Sequence, residues 1–152
     1  MKNTLLIIFC TLLLVTTKAQ NINPNYDAEL AKTVGADDYG MKQYILVMLK
    51  TGSNTTSTKT EYDAAFAGHM TNMGKLVKEN KLVVAGPMGK NDKNYRGIFI
   101  LNVKTIEEAK EILATDPAIK AKLLDADIFN WYGSAALGEY LKASEKVRKF
   151  KF

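Results

Sequence analysis

The chain has 152 residues, with 21 Lys and Arg against 16 Asp and Glu, a net charge of +5, and one each of His, Cys and Trp. Its length suits one domain with a modest core. One thiol (Cys10) and one imidazole (His69) exclude a disulfide or a multi-histidine metal centre built by one copy, and the basic residues lack the aromatic interleaving of single-strand binders, so no nucleic-acid partner is expected.

Residues 1–19 read as a signal peptide. Met1-Lys2-Asn3 is a short basic start, Leu5 to Val15 a nearly unbroken apolar run too short to span a bilayer as a mature helix, and Thr17-Lys18-Ala19 a small-residue cleavage site. The alternative is an uncleaved N-terminal anchor. Cleavage would remove Lys2 and Lys18 from the 21 basic residues, leaving 19 against 16 acidic ones. It would also remove Cys10, so the mature chain is expected to lack any thiol and any stable membrane span, and to work in the periplasm or outside the cell.

Residues 20–40 form a polar leader in which Tyr26, Leu30 and Val34 recur at helical spacing, followed by a turn bracketed by Gly35 and Gly40. Met41 to Leu49 is a strand apolar on both faces, with Tyr44, Leu46 and Met48 on one and Ile45, Val47 and Leu49 on the other. Thr51 to Thr58 is a polar loop and a candidate mobile lip. Glu61 to Asn80 is a helix whose stripe is Tyr62, Phe66, His69, Met73 and Leu76. Leu82 to Ala85 is a short strand stopped by Gly86-Pro87, and Gly97 to Val103 another strand apolar on both faces. Thr105 and Glu108 form a capping box for a second helix with Ile106, Ala109, Ile112 and Leu113 inward. Leu123 to Tyr132 is a last, edge-like strand, and Ser134 caps a C-terminal helix ending in a basic tail.

The domain at 41–133 therefore runs strand–helix–strand–strand–helix–strand. That order predicts an α+β, ferredoxin-like split βαβ fold, with both helices on one face of a four-stranded antiparallel sheet and a helical tail at 134–152. The second, apolar face needs a cover. A second copy of the sheet supplies one, so a homodimer is expected; otherwise some part of the same chain must cover it.

His69 is the residue most suited to chemistry. An imidazole takes and returns a proton near neutral pH, and a carboxylate at its other nitrogen fixes the tautomer. Its plainer role is a core histidine donating to a backbone carbonyl. Asp116-Pro117 reads first as a helix start, Asp as N-cap and Pro in the first turn. A carboxylate has two oxygens, and the antiparallel helices of this fold bring position 116 beside position 69, so Asp116 can serve both. Pro87, Met88 and Trp131 are the candidate ligand contacts; their plainer roles are strand stop, core packing and dimer interface.

The stretches His69-x-x-x-Met73-Gly-x-Leu76, Asn80-Lys-Leu-Val-Val-Ala-Gly-Pro-Met88 and Ala114-Thr-Asp116-Pro117 resemble the YciI-like (YCII-related) family, over roughly Met41 to Tyr132. The resemblance implies a fold that dimerises into an α+β barrel and a His–Asp pocket at His69 and Asp116. The family commonly carries a glycine a few residues after Asp-Pro, where this chain runs Ala118-Ile-Lys-Ala-Lys122, and the segments outside the core resemble extensions of exported bacterial relatives. The expected function is acid/base proton transfer of the isomerase or lyase type on a small cyclic or aromatic molecule, with no cofactor. The alternative is a non-catalytic dimer that binds a small molecule.

Overall fold

The computed structural model describes residues 23–149; the signal peptide expected at 1–19, the first residues of the leader and the last three residues lie outside them. A helix α1 (Ala28–Val34) precedes β1 (Met41–Thr51), α2 (Lys59–Lys78), β2 (Leu82–Pro87), β3 (Tyr95–Leu101), α3 (Ile106–Leu113), the one-turn α4 (Pro117–Lys120) and β4 (Leu124–Ser134). A 3₁₀ helix, Ala135–Tyr140, and α5 (Leu141–Val147) follow. No helix among the described residues is long and apolar enough to cross a membrane.

The four strands form one antiparallel sheet in the order β2-β3-β1-β4. The two strands apolar on both faces are thus the central ones, where both faces are covered. Val47 lies opposite Phe99 on one side and Ile128 on the other. With Ile45, Leu49 and Leu101 they line the face under the helices, packed against Leu76, Ala109, Ile112 and Leu113. Each such large aliphatic side chain contributes about 1.5–3 kcal/mol when fully buried.

The helix starts explain themselves locally. Thr105 and Glu108 make the expected capping box. Thr58 and Glu61 make a second one, which starts α2 at Lys59, two residues before the expected start. On α2, Ala65, His69 and Leu76 are buried, Phe66 and Met73 partly so, and Tyr62 is exposed. The polar loop after β1 is tied down over its first half: Gly52 N donates to Leu123 O, Asn54 N to Lys122 O, and the Asn54 amide to Ala121 O at 2.8 Å.

Three expectations need correction. α1 forms, capped by Asp27 and ended by Gly35 at φ 73°, but Tyr26 and Leu30 are exposed rather than a buried stripe. Gly86 and Pro87 belong to β2, which ends at Pro87, paired with Gly97, two residues later than expected. Ser134 does not cap a helix with its side chain. It is still paired with Met41 at the end of β4, its carbonyl accepts the Tyr44 hydroxyl at 2.9 Å, and a 3₁₀ turn follows instead of an α-helix.

That 3₁₀ helix covers part of the second sheet face from within the chain. Tyr44, Val83 and Ile100 are buried there with Leu137, Leu46 and Trp131 packed around them, and the Tyr140 hydroxyl donates to Val83 O. Phe129, which lies opposite Leu46 on the same face, is 48% exposed.

Candidate active site

His69 and Asp116 are the two buried polar residues of the described chain, 7% and 1% exposed. α2 brings His69 to the sheet on its apolar stripe. Asp116 stands at the corner between α3 and α4, where an extended backbone (φ −74°, ψ 124°) makes it the N-cap and Pro117 opens the helix.

The two carboxylate oxygens of Asp116 have separate tasks. Oδ1 accepts from the backbone N–H groups of Ala118 at 2.9 Å and Ile119 at 3.4 Å. Oδ2 lies 2.7 Å from Nδ1 of His69. Burial alone pushes the Asp116 carboxyl up; the hydrogen bond and charge of His69, then the two amides, outweigh it and hold it below its ordinary value. An ionised carboxylate can only accept, so Nδ1 carries the hydrogen and donates it.

That assignment leaves Nε2 without a hydrogen. No hydrogen bond to Nε2 is made among the described residues, and no buried side-chain nitrogen or oxygen there lacks a partner, so Nε2 is not sealed from the surface. The ring is held by aromatic neighbours. Phe99 stacks on it with centroids 5.8 Å apart and planes 19° apart, and Phe66 meets it edge-on at 5.9 Å. Tyr62 in turn lies 4.5 Å from Phe66, so a run of rings leads from the exposed Tyr62 to the imidazole. Such contacts restrict ring rotation.

The other expected site residues are not all brought here. Trp131 lies opposite Tyr44 and packs against it at 5.7 Å, on the sheet face away from His69. Pro87 and Met88 are exposed at the end of β2, with no hydrogen bond or ring contact to the pair among the described residues. Two open hollows, lined by residues such as Gly52, Lys122 and Asp125 or Lys110, Leu113 and Ile128, also exclude His69 and Asp116. The buried pair marks the candidate site better than these hollows, which hold no comparable chemistry. Among the described residues no group of three or more His, Cys, Asp or Glu could hold a metal ion. Phe99 and Phe66 were legible as core residues, but their contact with the imidazole depends on a long-range pairing that sequence spacing does not carry.

Sheet order, helix placement and the β1–β4 pairing define a ferredoxin-like α+β domain with a histidine–carboxylate pair between its helical elements. Residues 43–132, more than half of the chain, match the model of the YCII-related domain, and the chain belongs to that family. None of the curated proteins compared with it matches. Among solved structures, the 5-chloro-2-hydroxyhydroquinone dehydrochlorinase TftG from Burkholderia phenoliruptrix AC1100, in complex with 2,5-dihydroxybenzoquinone, is 24% identical, covering 57% of this chain and 92% of that one at a TM-score of 0.40. A likeness at that level says nothing about what this chain binds.

Proposed function

We propose that His69 is a general acid/base group acting through Nε2 on a small cyclic or aromatic molecule, in a proton transfer of the isomerase or lyase type. The observation that carries this reading is the buried 2.7 Å contact between Nδ1 and the Asp116 carboxylate, with Nε2 left unbonded. Asp116 holds the tautomer and stabilises the imidazolium formed when Nε2 takes a proton. The aromatic run from Tyr62 to His69 supports a flat, largely apolar ligand.

The chain acts, on this reading, as an exported homodimer. The basic start and apolar run of residues 1–19 support export. The half-exposed Phe129 beside Leu46, on the face that the 3₁₀ helix covers only in part, supports the dimer.

The test is solvent deuterium exchange, followed by NMR, into a panel of small cyclic ketones, phenols and enolisable acids. The wild-type chain is expected to catalyse exchange at an acidic C–H of at least one compound, and His69→Gln to abolish it. Exchange at the same rate in His69→Gln overturns the reading. Saturable binding with no exchange across the panel assigns the site to ligand binding alone.

A further inference from the structure

α2 carries two glycines that look alike in sequence, Gly68 and Gly74. In the structure they differ. A Cβ on Gly74 would meet nothing within 4 Å. A Cβ on Gly68 would lie 2.7 Å from Cγ and 3.1 Å from Cβ of Pro117, well inside the roughly 3.5–4.0 Å at which carbon atoms pack best. Glycine in the middle of a helix is less stable than alanine, so its presence at 68 calls for a compensating contact.

The obstacle is not a flexible chain end. Pro117 is a closed ring in the first turn of α4, bonded directly to Asp116. A side chain at 68 therefore has to move the corner itself. Three successive corner residues face three residues of one α2 surface: Pro117 meets Gly68, Asp116 meets His69, and the Thr115 hydroxyl, which donates to Ile112 O at 2.7 Å, lies 3.2 Å from the Asn72 side-chain amide. The carboxylate sits between the other two contacts and moves with them. Its bond to His69, at 2.7 Å, has no slack to absorb a shift of several tenths of an ångström.

We propose that Gly68 is a positioning residue: the absence of a side chain there lets the Asp116-Pro117 corner approach α2 closely enough to close the His69–Asp116 pair. Its functional weight rests on the acid/base reading above, but the geometric claim is tested without any substrate.

The experiment uses the full chain, whose one histidine makes its ring signals unambiguous. The readout is the ¹H–¹⁵N signal of the His69 Nδ1–H and its exchange with water, with thermal melting alongside. Wild type and Gly74→Ala are expected to show a slowly exchanging signal, and Gly74→Ala to melt higher. Gly68→Ala is expected to melt lower and exchange at least several-fold faster, and Gly68→Val to lose the signal. Adding Pro117→Ala to Gly68→Ala removes the Cγ and is expected to restore most of the signal. The proposal is overturned if Gly68→Ala and Gly68→Val keep the wild-type signal, whatever their melting temperature, or if the Pro117→Ala addition restores nothing. Should Gly68→Val fail to fold, Gly68→Ala and its rescue decide. A wild-type chain without the Nδ1–H signal overturns the pair itself, and with it both this proposal and the acid/base reading.

Discussion

Asp116 serves two elements at once, meeting His69 of α2 with Oδ2 and capping α4 with Oδ1. Its removal therefore breaks a buried charge-assisted bond and a helix cap together. Asp116→Ala is expected to lower stability by about 2.5–4 kcal/mol, combining roughly 1 kcal/mol for the cap with 1.5–3 kcal/mol for the charged hydrogen bond. Asp116→Asn keeps the cap through Oδ1 but puts an amide N–H where Oδ2 accepted from His69, so it should lose the charged hydrogen bond alone, about 1.5–3 kcal/mol. Urea unfolding of both variants checks this; equal losses would show that the cap contributes nothing, and an unchanged Asp116→Asn that the charged bond contributes nothing.

Acid should weaken the same contact. The folded-state carboxyl of Asp116 titrates below its ordinary value of 3.8. A depressed carboxylate stabilises the fold in full above the unfolded-state value, and that contribution disappears as pH falls through the folded one. The stability gap between wild type and Asp116→Asn should close steadily as pH falls below about 4. Asp37, Glu61, Glu79 and Glu108 are exposed carboxyls also held low, and the comparison subtracts them because both chains share them. A gap that stays open or widens below about pH 4 would contradict the ionised assignment.

Much of this site was legible in the sequence, for particular reasons. The 4-3-4-3 spacing of Tyr62, Phe66, His69, Met73 and Leu76 placed the imidazole inward, and the element order brought Asp116 to it. Both clues are local or topological. Trp131 was harder: its face depends on β4 pairing Tyr44 with Trp131 and running on to Ser134, a long-range register that no spacing within β4 reveals. Gly68 was invisible because a missing side chain declares nothing until its neighbour is known. The tail past Ser134 read as a separate helix, whereas Leu137 joins the cluster on the second sheet face, a contact set by the turn after β4.

Lys122 has φ 56°, in the left-handed region. That conformation costs a side-chain-bearing residue about 1–2 kcal/mol. Glycine relieves it but loses about 0.5–1 kcal/mol of unfolded-state entropy. Lys122→Gly is thus expected to stabilise the chain by up to about 1 kcal/mol, raising its melting temperature. Lys122→Ala, with a Cβ and no glycine freedom, should not. Equal effects from the two would place the gain in the lost charge instead.

Leu137 is the apolar side chain by which the 3₁₀ helix joins the Tyr44, Val83 and Ile100 cluster, and Trp131 lies in that cluster too. Truncating a half-buried leucine should cost about 1–2 kcal/mol, less than the 2–5 kcal/mol of a fully buried one. Because Trp131 is the chain's one tryptophan, its emission reports this face directly. Leu137→Ala should therefore lower the melting temperature and shift the Trp131 emission to the red, as water reaches the ring. Tyr140→Phe should add a smaller loss, about 1 kcal/mol, by leaving Val83 O without its hydroxyl donor. Unchanged emission in Leu137→Ala would mean that the face is covered by something other than this helix. A second copy, detected as a dimer by sedimentation, would then be the cover.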